Sequence, residues 1–417
     1  MTKKFLKTHY LSIGFILVFC VGSALQHHVV AASTWSFSNN PTGYETWSEI
    51  TLQMDFEWKM WTTSDNTDFY AWFQRFSNHS HSPMTGVAPL QVVKVLSNGT
   101  NIAPGTYEFD SADDYNNTIE YFDGTINVGV DFIYQISYNI TLTEMTWDVV
   151  GGDVAEYDTV DPLYLNLTGA ENNLEVDDST LVTLSNTICS GKDTIAEKVE
   201  AILDYVINNI VYDDSITISQ GASATYSSKL GDCSDFSTLF ITLCRIQGIP
   251  ARKVVGLVFF DNDGHPMQDM QVGDDVTYYL NSTEGGYVPG HAWTEYYVPG
   301  YGFVSMDPTF AQSDKRTYSN YMDYLHIFSS VGENFGGGID PALPQPSEEF
   351  GFIPFVWTNK ISSLKYAMTM DIDVVDVNIK KIPRIPFDTR TLIFVSFGTI
   401  TILGIVMALR LSKKKHN

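Results

Sequence analysis

Cys233 stands one position past a Gly-Asp turn in KLGDCSDFSTLF, at the start of a segment whose Phe236, Leu239, Phe240 and Leu243 fall at helical spacing. A thiol at a helix N-terminus faces backbone N–H groups and the positive end of the helix dipole, and both favour thiolate over thiol. A thiolate nucleophile also needs a base within hydrogen-bond reach and a third group that orients the base. HAWTEYYVPGYGFVSMDPT offers both on one predicted hairpin. With Val298 paired to Gly302 across a three-residue turn, Asp307 falls opposite Trp293. His291 and Trp293 are two apart on a strand and share a face. His291 and Asp307 then become diagonal cross-strand neighbours, close enough for an imidazole to meet a carboxylate. A slip of one residue would turn Asp307 to the opposite face. Cys244, set among Ile241, Leu243 and Ile246, reads as a small buried hydrophobe.

The elements around these residues follow from periodicity. In DTIAEKVEAILDYVINNIVY, Ile195, Val199, Ile202, Val206 and Ile210 mark one helical face, and Thr194 with Glu197 matches a capping box. The helix that opens at Cys233 is stopped by Gly248 and Pro250. ARKVVGLVFF and HAWTEYYV then read as strands, so this part of the chain is an α+β unit rather than an alternating βαβ one. Upstream, residues 34 to about 185 run in short alternating stretches such as EITLQMDFEWKMW and IYQISYNITL, punctuated by Gly, Pro, Asn and Asp, which predicts an antiparallel β module. After GGGIDPALPQPSEEF, a Gly/Pro-marked linker, a last β-like stretch, YAMTMDIDVVDVNI, follows.

Taken together, GDCSDFSTLFITLCRIQGIPARKVVG, GHAWTEYYVPGYGFVSMDPT and the preceding helix ending NNIVYDD resemble the transglutaminase-like superfamily of papain-like thiol enzymes over roughly residues 160 to 330. The resemblance implies a nucleophile at Cys233, a base at His291 and an orienting carboxylate at Asp307, with an acyl-thioester passed to water or to an amine. Trp293 and Glu295 fall in the HAW-x-E block, where they look structural or cleft-lining. The second oxyanion donor usually lies upstream of the cysteine in this family; Gln220, Tyr226 and Tyr212 all qualify by type, and Gln220 is preferred because its amide can donate. The expected activity is hydrolysis of protein or peptide amide bonds, with crosslinking by acyl transfer to amines as the first alternative and a non-catalytic adhesion module as the second.

Charge and termini complete the reading. With 24 Lys plus Arg against 49 Asp plus Glu, the chain carries a formal charge of −25, a field that repels nucleic acid and anionic lipid. Of its 4 cysteines one lies in the N-terminal apolar run; the other three cannot all pair within the chain, which excludes a disulfide scaffold. Asp261, Asp263 and Gly264 look like a fragment of a calcium loop without the regular ligand spacing or distal Glu, so a polar turn is the reading and no metal or other cofactor is expected, calcium being the one weak suggestion. Lys3, Lys4 and Lys7 before an apolar run predict a secretory signal, and Thr391 to Leu409, uncharged and followed by Lys413 to Lys415, predicts a transmembrane helix with its tail inside. Six Asn-x-Ser/Thr sequons suit a glycosylated exterior.

The expected plan is therefore a signal over 1–32, a sandwich-like β-rich module over 33–185, a papain-like transglutaminase core of α+β class over 186–335, a linker with a short β segment over 336–389, a transmembrane helix over 390–410 and a cytoplasmic tail over 411–417. That plan makes the chain a single-pass cell-membrane protein with its bulk extracellular.

Overall fold

The computed structural model describes residues 43–380 apart from 82–87, 102–106, 110–114, 116, 150–155, 217–218, 262–265, 268–269 and 333–353. Among these, three larger sheets, a two-stranded parallel pair (Val211–Tyr212 with Leu230–Gly231) and six helices surround one main core with two smaller clusters beside it. The longest strand, Tyr44–Thr62, shows why it forms: Leu52, Met54, Phe56, Trp58 and Met60 are buried while Gln53, Asp55, Glu57 and Lys59 alternate with them on the other face. It pairs antiparallel with Phe132–Trp147 on one side and with Leu364–Ile379 on the other. A second sheet, built on Thr67–Gln74 and Ile119–Ile126, packs aromatic rings against that face: Trp58 meets Phe73 edge-on at 6.3 Å, and Phe73 lies 4.4 Å from Tyr134. These two sheets pack face to face, but they take strands from residues 275–287, 321–322 and 355–379 as well as from the expected module.

The expected α+β class is corrected to a mostly β chain. The class was read from the cysteine helix and its neighbours, whereas the strands that tip the balance lie elsewhere. The stretch taken as a short β segment is a 16-residue strand, Leu364–Ile379, whose Met368, Met370, Ile372 and Val374 are buried at period two. It lies inside the large sheet, between Tyr44–Thr62 and Asp275–Asn281. Asp275–Asn281 and its partner Gly285–Tyr287 fall within the expected catalytic domain, so residues from three of the expected segments share one sheet.

The third sheet carries His291 on its strand Gly290–Val298. Its strands are ordered Gly302–Met306, Gly290–Val298, Ala251–Val258 and His326–Val331, all antiparallel. Helix Cys233–Ile246 packs against Gly290–Val298 and is itself buried along most of its length. Helix Ile195–Asn209, capped by Thr194 and Glu197 as expected, and helix Pro308–Tyr318 pack on it in turn.

The single-pass membrane assignment is also withdrawn. No helix among the described residues is long and apolar enough to cross a membrane. The signal, transmembrane and tail segments of the sequence reading lie outside the described residues. Of the sequon asparagines, Asn281 is only 7% exposed and donates to the Tyr279 hydroxyl, a poor position for a glycan.

Candidate active site

The helix that presents Cys233 starts where it does because Asp232 and Asp235 form a capping box. The Asp235 N–H donates to the Asp232 carboxylate at 3.1 Å, and the Asp232 N–H donates back at 3.3 Å. Asp235, fully buried, also accepts from the backbone N–H and the side-chain amide of Gln220 at 2.8 and 3.1 Å. Gly231 is required next to this turn: a Cβ there would lie 2.7 Å from that of Asp235. The preferred oxyanion candidate Gln220 is thus directed at Asp235, with a longer contact to the Leu230 carbonyl, and braces the first turn. Tyr226 lines a separate cavity of about 460 Å³ with Ser179, Thr183 and Thr187, and holds the Lys229 ammonium 3.6 Å over its ring. Tyr212 is the upstream candidate brought to the cysteine. It pairs with Gly231, its ring lies 6.2 Å from that of Phe236 one turn along the helix, and burial, then the neighbouring Cys233, raises its phenol far above the ordinary range.

The strand Gly290–Val298 meets the helix at Ala292. The Ala292 carbonyl accepts from Ser237 Oγ at 3.2 Å, and the Ala292 backbone is among the groups that act to lower the Cys233 thiol. His291 directly precedes Ala292 on this strand, next to the point where the strand meets the cysteine helix. The hairpin has the expected register: Val298 pairs with Gly302 and Thr294 with Met306. Accordingly His291 Nε2 lies 2.7 Å from Asp307 Oδ2, with both residues buried. Asp307 is fixed from its other oxygen as well, because Oδ1 caps helix Pro308–Tyr318 by accepting from Thr309 N at 2.9 Å and Phe310 N at 3.0 Å. His291 and its neighbouring histidine hold the Asp307 carboxyl well below the usual range despite its burial, which acts the other way.

Cys233 differs electrostatically from the sequence expectation. Burial pushes its thiol well up, the Asp232 carboxylate adds to that, and the Ala292 backbone and the Lys253 ammonium only partly oppose them. These influences favour the neutral thiol, against the helix N-terminus, so the site relies on a base for the nucleophile.

Trp293 is fully buried and faces no cleft. Its ring stacks beside His291 at 6.0 Å and meets Phe328 edge-on at 5.0 Å. Gly256, opposite His291, leaves the room this packing needs: a Cβ would come within 2.0 Å of the Ile327 carbonyl and 2.9 Å of the Trp293 ring. Glu295 is structural. It is fully buried, 2.7 Å from His79 Nε2 in the N-terminal part and 2.8 Å from Arg252 Nε, so it ties the catalytic sheet to the sandwich.

One residue of the site carries no mark in the sequence motifs. His326 Nε2 lies 3.2 Å from the same Asp307 oxygen that receives His291, and His326 Nδ1 lies 2.6 Å from Asp323 Oδ1. The only local signal was an Asp three residues before a His at the start of a strand. His291, Asp307 and His326 place three ligand-type atoms within 4.8 Å of one another, a grouping able to hold a metal ion, but both rings direct Nε2 at the carboxylate, an arrangement a metal would have to break. Of the calcium-loop fragment, Asp263 and Gly264 lie outside the described residues.

Comparison with known proteins points the same way as this geometry. Residues 182–308 match the family profile described as the transglutaminase-like superfamily. A curated relative, uncharacterized protein YebA from Bacillus subtilis (strain 168), is 28% identical over 134 residues, which cover 30% of this chain and only 17% of that relative's length. Among solved structures, a candidate cysteine protease from Cytophaga hutchinsonii is similar over 82% of this chain and 95% of its own, with 17% identity and a TM-score of 0.50, a likeness of fold. The periplasmic domain of TgpA from Pseudomonas aeruginosa, bound to ethylmercury, covers 60% of this chain and 91% of its own at 15% identity and a TM-score of 0.30.

Proposed function

We propose that the transglutaminase-like domain of this chain is a thiol enzyme that hydrolyses protein or peptide amide bonds, with Cys233 as nucleophile, His291 as base and Asp307 as the group that orients it. The observation that carries this reading is the 2.7 Å contact between His291 and Asp307 on the strand whose next residue, Ala292, accepts a hydrogen bond from Ser237 of the cysteine helix. Because His291 Nε2 is directed at Asp307, Nδ1 is the ring atom for the thiol proton. In the proposed cycle Nδ1 takes the Cys233 proton as sulfur attacks the amide carbonyl. The oxyanion forms at the N-terminus of helix Cys233–Ile246, where backbone N–H groups and the dipole favour negative charge, with the Tyr212 phenol as side-chain donor. His291 then returns the proton to the leaving amine, and water, activated by the same ring, releases the acid from the thioester. Asp307, ionised throughout, stabilises the imidazolium at each stage.

The test compares wild type with Cys233→Ala on a denatured protein mixture supplied with a labelled primary amine. New peptide termini made only by the wild type support hydrolysis. Isopeptide links or amine incorporation without new termini would replace hydrolysis with acyl transfer, and the absence of both would leave a binding module.

A further inference from the structure

Asp307 makes four hydrogen bonds, and only one of them reaches His291. Two backbone N–H groups occupy Oδ1, while Oδ2 lies between two imidazoles, 2.7 Å from His291 and 3.2 Å from His326. The His326 ring is fully buried and its second nitrogen meets Asp323, which is 2% exposed. Asp323 is fixed in turn by the Leu325 N–H at 2.9 Å and the Tyr318 hydroxyl at 3.3 Å. The line from His291 through Asp307 and His326 to Asp323 alternates base and acid without a gap. A neutral His326 could donate a proton to only one of the two carboxylates that flank it, whereas a protonated ring donates to both.

We propose that His326, held by Asp323, is a positioning residue of the active site: it supplies a buried cation that fixes the Asp307 carboxylate toward His291 and offsets part of its charge at Cys233. This inference rests on the catalytic reading above. The groups that face His326 agree with it. Asp307 and Asp323 are the acids in contact, and Glu144 lies behind Asp323. The His291 ring is 5.7 Å away and that of Tyr318 6.4 Å, with Trp293 and Phe310 closing the sides. The carboxylates hold the His326 ring protonated up to about 9 against its burial, and Asp307 is among the charges that push the Cys233 thiol up.

The experiment follows the pH dependence of Cys233 alkylation by iodoacetamide, read by mass spectrometry, in the full chain and in His326→Gln and Asp323→Asn. Gln keeps a donor toward Asp307 but no charge; Asn removes the acid that keeps the ring charged. His326→Gln moves the alkylation midpoint upward, by roughly half a pH unit or more for a buried positive charge lost near the site, and Asp323→Asn, which loses an acid along with the ring's charge, moves it in the same direction by less. A merely structural role would change melting temperature or the amplitude of labelling and leave the midpoint in place. An unmoved or lowered midpoint in folded variants overturns the proposal, as does loss of fold in both. Alkylation requires no substrate, so a chain that shows the raised midpoint yet cleaves no peptide would refute the hydrolase reading and retain this one.

Discussion

Replacement of Glu295 by Gln tests how the catalytic sheet is held. Its carboxylate is fully buried and accepts from Arg252 and, across the boundary with the sandwich, faces His79. Burial alone would raise this acid, but His79 and Arg252 outweigh it and lower it from 4.5 to about 2. A tenfold difference in proton affinity between the folded and unfolded chain corresponds to about 1.4 kcal/mol, so ionised Glu295 contributes on the order of 3 kcal/mol to the folded state. The sign follows from the depressed value. The contribution is complete above the unfolded-state pKa of roughly 4.3 and disappears as pH falls through about 2. Urea unfolding monitored by Trp fluorescence between pH 5.5 and 2 is the assay. Wild type should lose about 3 kcal/mol more than Glu295→Gln over that range, and the variant should already be weaker at pH 5.5 because Arg252 has lost its counter-charge. Parallel stability curves for the two proteins would refute the reasoning, since the buried pair would then contribute nothing that titrates.

Other predictions concern the site directly. Asp307→Asn keeps one oxygen for the helix cap but turns an N–H₂ group toward two imidazoles. With two charge-assisted hydrogen bonds at stake, kcat/KM should fall by about 100-fold or more in a peptidase assay, while the melting temperature changes little compared with Asp307→Ala, which also loses the cap. Gly256→Ala should cost about 3 kcal/mol or more in chemical denaturation, because the added methyl meets the Ile327 carbonyl and the Trp293 ring. His326, raised from 6.5 to about 9 by Asp323 and Asp307 against burial, contributes stability that is complete below pH 6.5 and is lost as pH rises through about 9. Thermal melts across pH 6 to 10 should show that loss in wild type and not in His326→Gln.

The local geometry of the site was legible because short-range rules govern it. A Gly-Asp turn and helical spacing mark the cysteine helix, and a tight Pro-Gly-Tyr turn fixes the register that brings Asp307 to His291. The environment of Cys233 was not legible: the helix N-terminus is a sequence feature, whereas the burial and the Asp232 charge that push its thiol up belong to the folded molecule. His326 was missed for a related reason. Its contact with Asp307 depends on strand His326–Val331 pairing with Ala251–Val258, a partner some seventy residues away with no turn to announce it. The same limit applied to Leu364–Ile379, whose alternation was visible but whose place in the sheet rests on pairing with strands about 90 and 300 residues earlier.

That placement has a consequence for how the molecule is made. A ribosome delivers residues in order, and Leu364–Ile379 is the last described strand to emerge, although it must slot between two strands synthesised long before. Until it arrives, Tyr44–Thr62 and Asp275–Asn281 each show an open flank that invites stray partners. Expression trials that stop short of residue 379 should therefore yield insoluble material even though every residue of the candidate site is present.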